Sequence, residues 1–106
     1  PHDYDVIILD PPAFAKNISA RHQAVMAYKR LNNLAIANLR SPGLLFTFSC
    51  SQVVTPDLFK GAVVAGAIEA GRTVRILHQL TQPADHPISI YHPEGLYLKG
   101  LVLAVE

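Results

Sequence analysis

Four consecutive aliphatic residues, Val6-Ile7-Ile8-Leu9, run directly into Asp10-Pro11-Pro12. An apolar run with no polar alternation predicts a strand buried on both faces, as in a parallel α/β sheet. The two prolines forbid its continuation. Each lacks an N–H, and the first pushes Asp10 towards extended backbone. The sequence therefore places a carboxylate at the carboxyl end of a core strand, where open α/β sheets bind their ligands. A strand followed by a plain polar turn accounts for the same seven residues.

With 106 residues the chain is one domain at most, and 50% hydrophobic against 16% charged residues is enough for a core. A net charge of +1 is too close to neutral to argue for nucleic acid by itself. The single cysteine rules out an internal disulfide framework and fits a reducing, cytoplasmic setting. No apolar run approaches the roughly 18 residues of a membrane span, so no membrane partner is expected. Pro1-His2-Asp3-Tyr4 leads straight into the first strand, which predicts a fragment of a longer sheet. The unpaired edge of Val6 to Leu9 then predicts self-association.

The remaining elements follow in order. Lys16 to Ala20 reads as a polar loop, with Ser19 as the cap of a helix from about Arg21 to Leu39. Val25, Tyr28, Leu31, Ala35 and Leu39 recur at helical spacing on that helix. Ser41-Pro42-Gly43 reads as a stop, and Leu44 to Phe48 as a second buried strand ending in Ser49-Cys50-Ser51. Thr55-Pro56-Asp57 supplies a cap, a first-turn proline and an acid suited to the helix dipole. That second helix is expected to reach Ala70 and stop at Gly71. Val74 to Leu80 is the third strand. After a long loop, Leu96 to Val105 is the fourth, too close for a crossover helix and so antiparallel to the third. The predicted class is α/β, in the order β-α-β-α-β-β as a sheet continued from upstream, with the last strand antiparallel. Its carboxyl rim collects Asp10, Cys50, Asp85, His86, His92 and Glu94.

Several runs together carry a family resemblance: Tyr4 to Pro12, Tyr28-Lys29-Arg30-Leu31-Asn32, Thr47-Phe48-Ser49-Cys50-Ser51, Asp85-His86-Pro87, and Pro93 to Gly100. The chain resembles the carboxyl-terminal half of a class I S-adenosylmethionine-dependent methyltransferase with a Rossmann-like sheet. Within that fold it resembles the rRNA large-subunit methyltransferase I type, cytosine-C5 enzymes that carry an amino-terminal RNA-binding PUA domain. The resemblance covers residues 1–106 and implies S-adenosylmethionine as cofactor and rRNA as partner. It also implies that the glycine-rich cofactor loop and the ribose-binding acid lie upstream of Pro1. This chain alone is therefore expected to be inactive and to bind the cofactor weakly.

The resemblance implies roles for particular residues. Cytosine C5 is a poor nucleophile until a thiolate adds to C6, which calls for a cysteine on the rim. Cys50 stands there, although a lone cysteine at a strand end also serves as a small buried hydrophobe. Asp10 is implied to hold the base, and Asp10, Pro11 and Pro12 to border the cofactor. Phe14, Lys29, Arg30 and His86 are the implied substrate contacts. A charged solvated helix face explains Lys29 and Arg30 as well. Many RNA cytosine-C5 enzymes carry a second cysteine beside the motif proline; here Pro12 and Ala13 occupy that region, leaving the base that removes the C5 proton unassigned. No metal is expected, since His86 and His92 with Asp85 and Glu94 match no standard zinc spacing. Two alternatives stand beside this reading. One is an amine methyltransferase built on Asp-Pro-Pro-aromatic, against which Ala13 rather than an aromatic follows the prolines. The other is an inactive, self-associating fragment.

Overall fold

The computed structural model describes residues 3–81 and 98–106. In chain order the elements are β1 (Tyr4–Leu9), α1 (Arg21–Asn38), β2 (Leu39–Ser49), α2 (Pro56–Glu69), β3 (Val74–Thr81) and β4 (Lys99–Val105). The four strands form one sheet in the order β1-β2-β4-β3. β1 and β2 are parallel, and β4 runs antiparallel to both β2 and β3. The expected α/β class and the antiparallel last strand are both present. β4 also inserts between β2 and β3. Gly100, Leu101, Val102 and Leu103 are all buried in it, the composition that an interior strand requires.

Both helices contribute to a single core with alternate strand residues, among them Tyr28, Ile36, Leu45, Phe59, Val63, Leu101 and Leu103. β1 departs from expectation here. Ile7 and Leu9 pack against the core, whereas Tyr4, Val6 and Ile8 are exposed. The strand is covered on one face among the described residues, because α1 and α2 form a layer on that face alone. β2 alternates in the same way, with Leu45, Thr47 and Ser49 buried and Leu44, Phe46 and Phe48 half-buried.

α1 and α2 approach closely at Gly66, where an added Cβ would lie 2.9 Å from both the Asn33 nitrogen and the Lys29 carbonyl oxygen. Asn33 Nδ2 donates to the Gly66 carbonyl at 3.1 Å, and Lys29 pairs with Glu69 at 2.8 Å. A buried polar bridge ties α1 to the sheet: the Thr47 hydroxyl donates to Asn32 Oδ1 at 2.7 Å, while Asn32 Nδ2 donates to the Tyr28 carbonyl at 2.8 Å. Arg72 closes the opposite end. Its guanidinium donates to the Ile36, Leu39, Arg40 and Glu106 carbonyls, neutralising the carboxyl end of α1.

Two local readings need correction. Ser19 does not cap α1; its hydroxyl donates to Asn17 Oδ1 at 2.6 Å, and a 3-10 turn over Ile18–Ala20 leads into the helix. Ser41-Pro42-Gly43 does not separate helix from strand. β2 begins at Leu39, pairs there with Tyr4, and resumes with Val6 opposite Leu44, so residues 40–43 bulge relative to β1, while Gly43 already pairs with Val105 of β4. Proline is tolerated at such a bulge. Gly43 is needed in it, because a Cβ would lie 2.6 Å from the Arg40 carbonyl oxygen. The second helix behaves as its sequence predicts: the Thr55 hydroxyl accepts from Leu58 N at 3.2 Å, and Gly71 takes φ +69° beyond the last turn. No described helix is long and apolar enough to cross a membrane.

Candidate active site at the carboxyl rim

Asp10 and Cys50 follow the ends of neighbouring parallel strands, with Leu9 opposite Thr47 in the register. Strand geometry places their backbones roughly 8 Å apart. Asp10 is exposed and Cys50 is half-buried as a free thiol. Pro11 and Pro12 turn the chain across the rim, and Ala15 then drops into the core. Between the two segments lies a cleft of about 270 Å³, lined by Ala13, Ala15, Lys16, Cys50 and Gln52. A thiol at the wall of an open cleft can meet a planar ring. A fully buried thiol could not.

Hydrogen bonds fix the turn that carries Cys50. Ser51 N donates to Ser49 Oγ at 3.3 Å, and the Ser51 hydroxyl donates to the Ala15 carbonyl at 2.9 Å, joining the two rim segments. The Ser51 carbonyl accepts from Lys99 Nζ at 2.8 Å and from Val54 N at 3.3 Å. Arg21 Nε donates to the Val53 carbonyl at 2.6 Å, fastening the start of α1 to the same loop.

Phe14 is partly exposed and meets Tyr28 edge-on, with ring centroids 4.8 Å apart; Tyr28 in turn meets Phe59 at 5.6 Å. Tyr28 is completely buried, so its ring is core rather than an RNA contact. Its hydroxyl has no partner in hydrogen-bond geometry among the described residues. Burial pushes the Tyr28 pKa up, and charge on the neighbouring Cys50 would push the same way. The Ser49 hydroxyl and the Phe14 backbone lie close enough to oppose them in part, without reaching hydrogen-bond geometry.

We expect Tyr28→Phe to stabilise the fold by about 1 kcal/mol near neutral pH, since it deletes an unsatisfied buried hydroxyl. Above about pH 10 the unfolded chain ionises its tyrosine while the folded one resists, so the wild type loses stability as pH rises. The phenylalanine variant should lose less. Denaturant melts at neutral and alkaline pH check both signs, and a destabilised variant at neutral pH would contradict the first.

Lys29 lies in the middle of α1 against Glu69, and Arg30 beside it is exposed; neither lines the cleft. His86, with Asp85, His92 and Glu94, lies outside the described residues. Lys16 and Gln52 line the cleft without having been singled out in the sequence, where both read as ordinary loop polarity. In the sequence Lys99 stands out only as part of the run Pro93 to Gly100. Its signal was a charge inside an apolar strand run, a residue type almost never fully buried without a partner.

No family model matches the chain. Against curated proteins, it is 48% identical over 102 residues to the ribosomal RNA large subunit methyltransferase I of Escherichia coli strain SE11 and to that of Shigella boydii serotype 18. The match takes in 96% of this chain and 26% of each relative. The chain resembles one quarter of such an enzyme. Solved structures agree on the fold. The crystal structure of SMU.776, a candidate methyltransferase complexed with SAH, matches with a TM-score of 0.75 at 24% identity, over 96% of this chain and 26% of that one. A candidate SAM-dependent methyltransferase from Streptococcus mutans matches with the same score at 22% identity, over 96% of this chain and 25% of that one. The four-stranded mixed sheet is therefore the fold of the matching quarter of those two structures.

Proposed function

We propose that the whole protein carrying this chain is an S-adenosylmethionine-dependent methyltransferase that modifies C5 of a cytosine in large-subunit rRNA. The carrying observation is Cys50, held by a bonded turn in the wall of a cleft and on the same rim as Asp10, within a chain 48% identical to rRNA methyltransferases. The cofactor supplies a methyl group on a sulfonium. Asp10, Pro11 and Pro12 would border that methyl from the end of β1, a position that fits the open carboxyl edge of the sheet.

The chain's own residues then act in sequence. A target base flipped out of the stack enters the cleft. The Cys50 thiolate forms a bond to C6, and the ring electrons displaced from the C5–C6 bond make C5 nucleophilic. Asp10 accepts a hydrogen bond from the polar edge of the base and holds the ring over the thiol. After C5 has taken the methyl group, loss of the C5 proton restores the double bond and expels the Cys50 thiolate. Phe14 offers a partly exposed aromatic edge beside the cleft. Exposed Arg30 is suited to RNA phosphate, as Lys29 would be on leaving Glu69. His86 completes the proposed substrate contacts.

Incubating the full-length protein with methyl-labelled cofactor and unmodified large-subunit rRNA, then analysing nucleosides, tests the assignment. 5-Methylcytidine is expected. Label on an exocyclic amine would favour the Asp-Pro-Pro amine reading instead, which the Ala13 step and the cleft-facing thiol disfavour. For the isolated 106-residue chain, the exposed apolar residues Tyr4, Val6 and Ile8 on β1 support self-association. Sedimentation should show dimers or larger species, and a monomer at high concentration would refute it.

A further inference from the structure

Lys99 opens β4 directly opposite Ser49, one residue before Cys50. It is only 6% exposed, a rare state for a lysine, and its Nζ donates to the Ser51 carbonyl one residue after Cys50. We propose that Lys99 is a positioning residue for Cys50, its buried ammonium fixing the Ser49-Cys50-Ser51 turn and supplying the positive charge that favours the thiolate. The inference rests on Cys50 acting as a nucleophile.

Burying an ammonium is costly, and a lysine serving only as a spacer could be replaced by an apolar residue. The hydrogen bond to Ser51 places this charge at the backbone of the reactive turn. Burial lowers the Lys99 pKa, while charge on Cys50 raises it. The other groups facing Cys50 among the described residues are few. Tyr28 on α1 presents a neutral phenol whose hydroxyl lacks a partner, Lys16 lines the same cleft, and exposed Asp10 ends the neighbouring strand. Lys16 is exposed and screened by solvent, so among the described residues Lys99 is the cation placed to act through low dielectric. One turn thus receives geometry and charge from a single side chain. This also explains why a strand otherwise apolar begins with a lysine.

The test is iodoacetamide alkylation of the full-length protein from about pH 6 to about pH 10, reading the Cys50 peptide by mass spectrometry. Near pH 7, Lys99→Met should slow alkylation about tenfold. Near pH 10 it should converge with wild type. Lys99→Arg, which keeps the charge, should stay within about twofold of wild type. Lys99→Gln, which keeps a donor but no charge, should behave as Lys99→Met and carries the test if the methionine variant folds poorly. Identical profiles for all variants, or a slowing by one factor at every pH, would overturn the proposal. The methylation assay separates this from the functional reading. A Lys99-dependent alkylation profile in a protein whose Cys50→Ser variant still methylates leaves the influence of Lys99 on the thiol standing and removes the cytosine-C5 assignment.

Discussion

Cys50→Ser in the full-length protein is expected to lower methyl transfer by at least about a thousandfold, with cofactor affinity nearly unchanged. The alcohol is a far weaker nucleophile at neutral pH. It also lacks the soft, polarisable sulfur that adds to C6. The substitution removes one atom's worth of volume difference from a half-buried site, so stability should move by less than about 1 kcal/mol. A loss confined to kcat, with a normal melt and normal cofactor binding, is the signature of a group acting in the chemical step. Equal turnover would make Cys50 a small rim residue and nothing more.

The second large effect is structural and comes from two glycines of α2. Gly66→Leu should destabilise the fold by about 3 kcal/mol, because the side chain must enter space held by the backbone of α1 at Asn33 and Lys29. The helices would have to separate, losing the Asn33–Gly66 hydrogen bond and the Lys29–Glu69 pair. For a domain of this size that corresponds to a Tm lower by roughly 10 °C or more. Gly61→Ala, five residues earlier on the same helix, should do the reverse. Nothing lies within 4 Å of a Cβ there, so only the helical preference of alanine is felt, a gain of about 0.8 kcal/mol. Thermal unfolding of the two variants side by side checks the opposite signs. A Gly66→Leu protein as stable as wild type would mean that the helices are not in contact at that point.

What the sequence disclosed divides along physical lines. Local chemistry was legible. Thr55-Pro56-Asp57 starts α2 and Gly71 follows its end, because caps and left-handed turns depend on a few adjacent residues. The run Val6 to Leu9 was legible as a strand, but its burial was not, since burial depends on which face the helices cover. The insertion of β4 between β2 and β3 joins segments about fifty residues apart in sequence, and no local pattern encodes it. The same limit applied to the rim. Asp10 and Cys50 could be placed there from strand ends alone. Lys99 joins them only through the pairing of β4 with β2, and Ala15 is tied to Ser51 only through a side-chain hydroxyl. Ser19 misled because a serine before a helix suits a cap equally well as a 3-10 turn, and Asn17 decides between them.

The central claim is that Cys50 forms a covalent bond to the target base, and trapping that bond tests it most directly. RNA carrying 5-fluorocytosine at the target, incubated with the full-length protein and cofactor, should yield a stable protein–RNA adduct, because fluorine cannot leave C5 as a proton does. Digestion and mass spectrometry should map the nucleotide to the Cys50 peptide, and Cys50→Ser should abolish the adduct. An adduct on any other residue, or none from a protein that still makes 5-methylcytidine, would contradict the account.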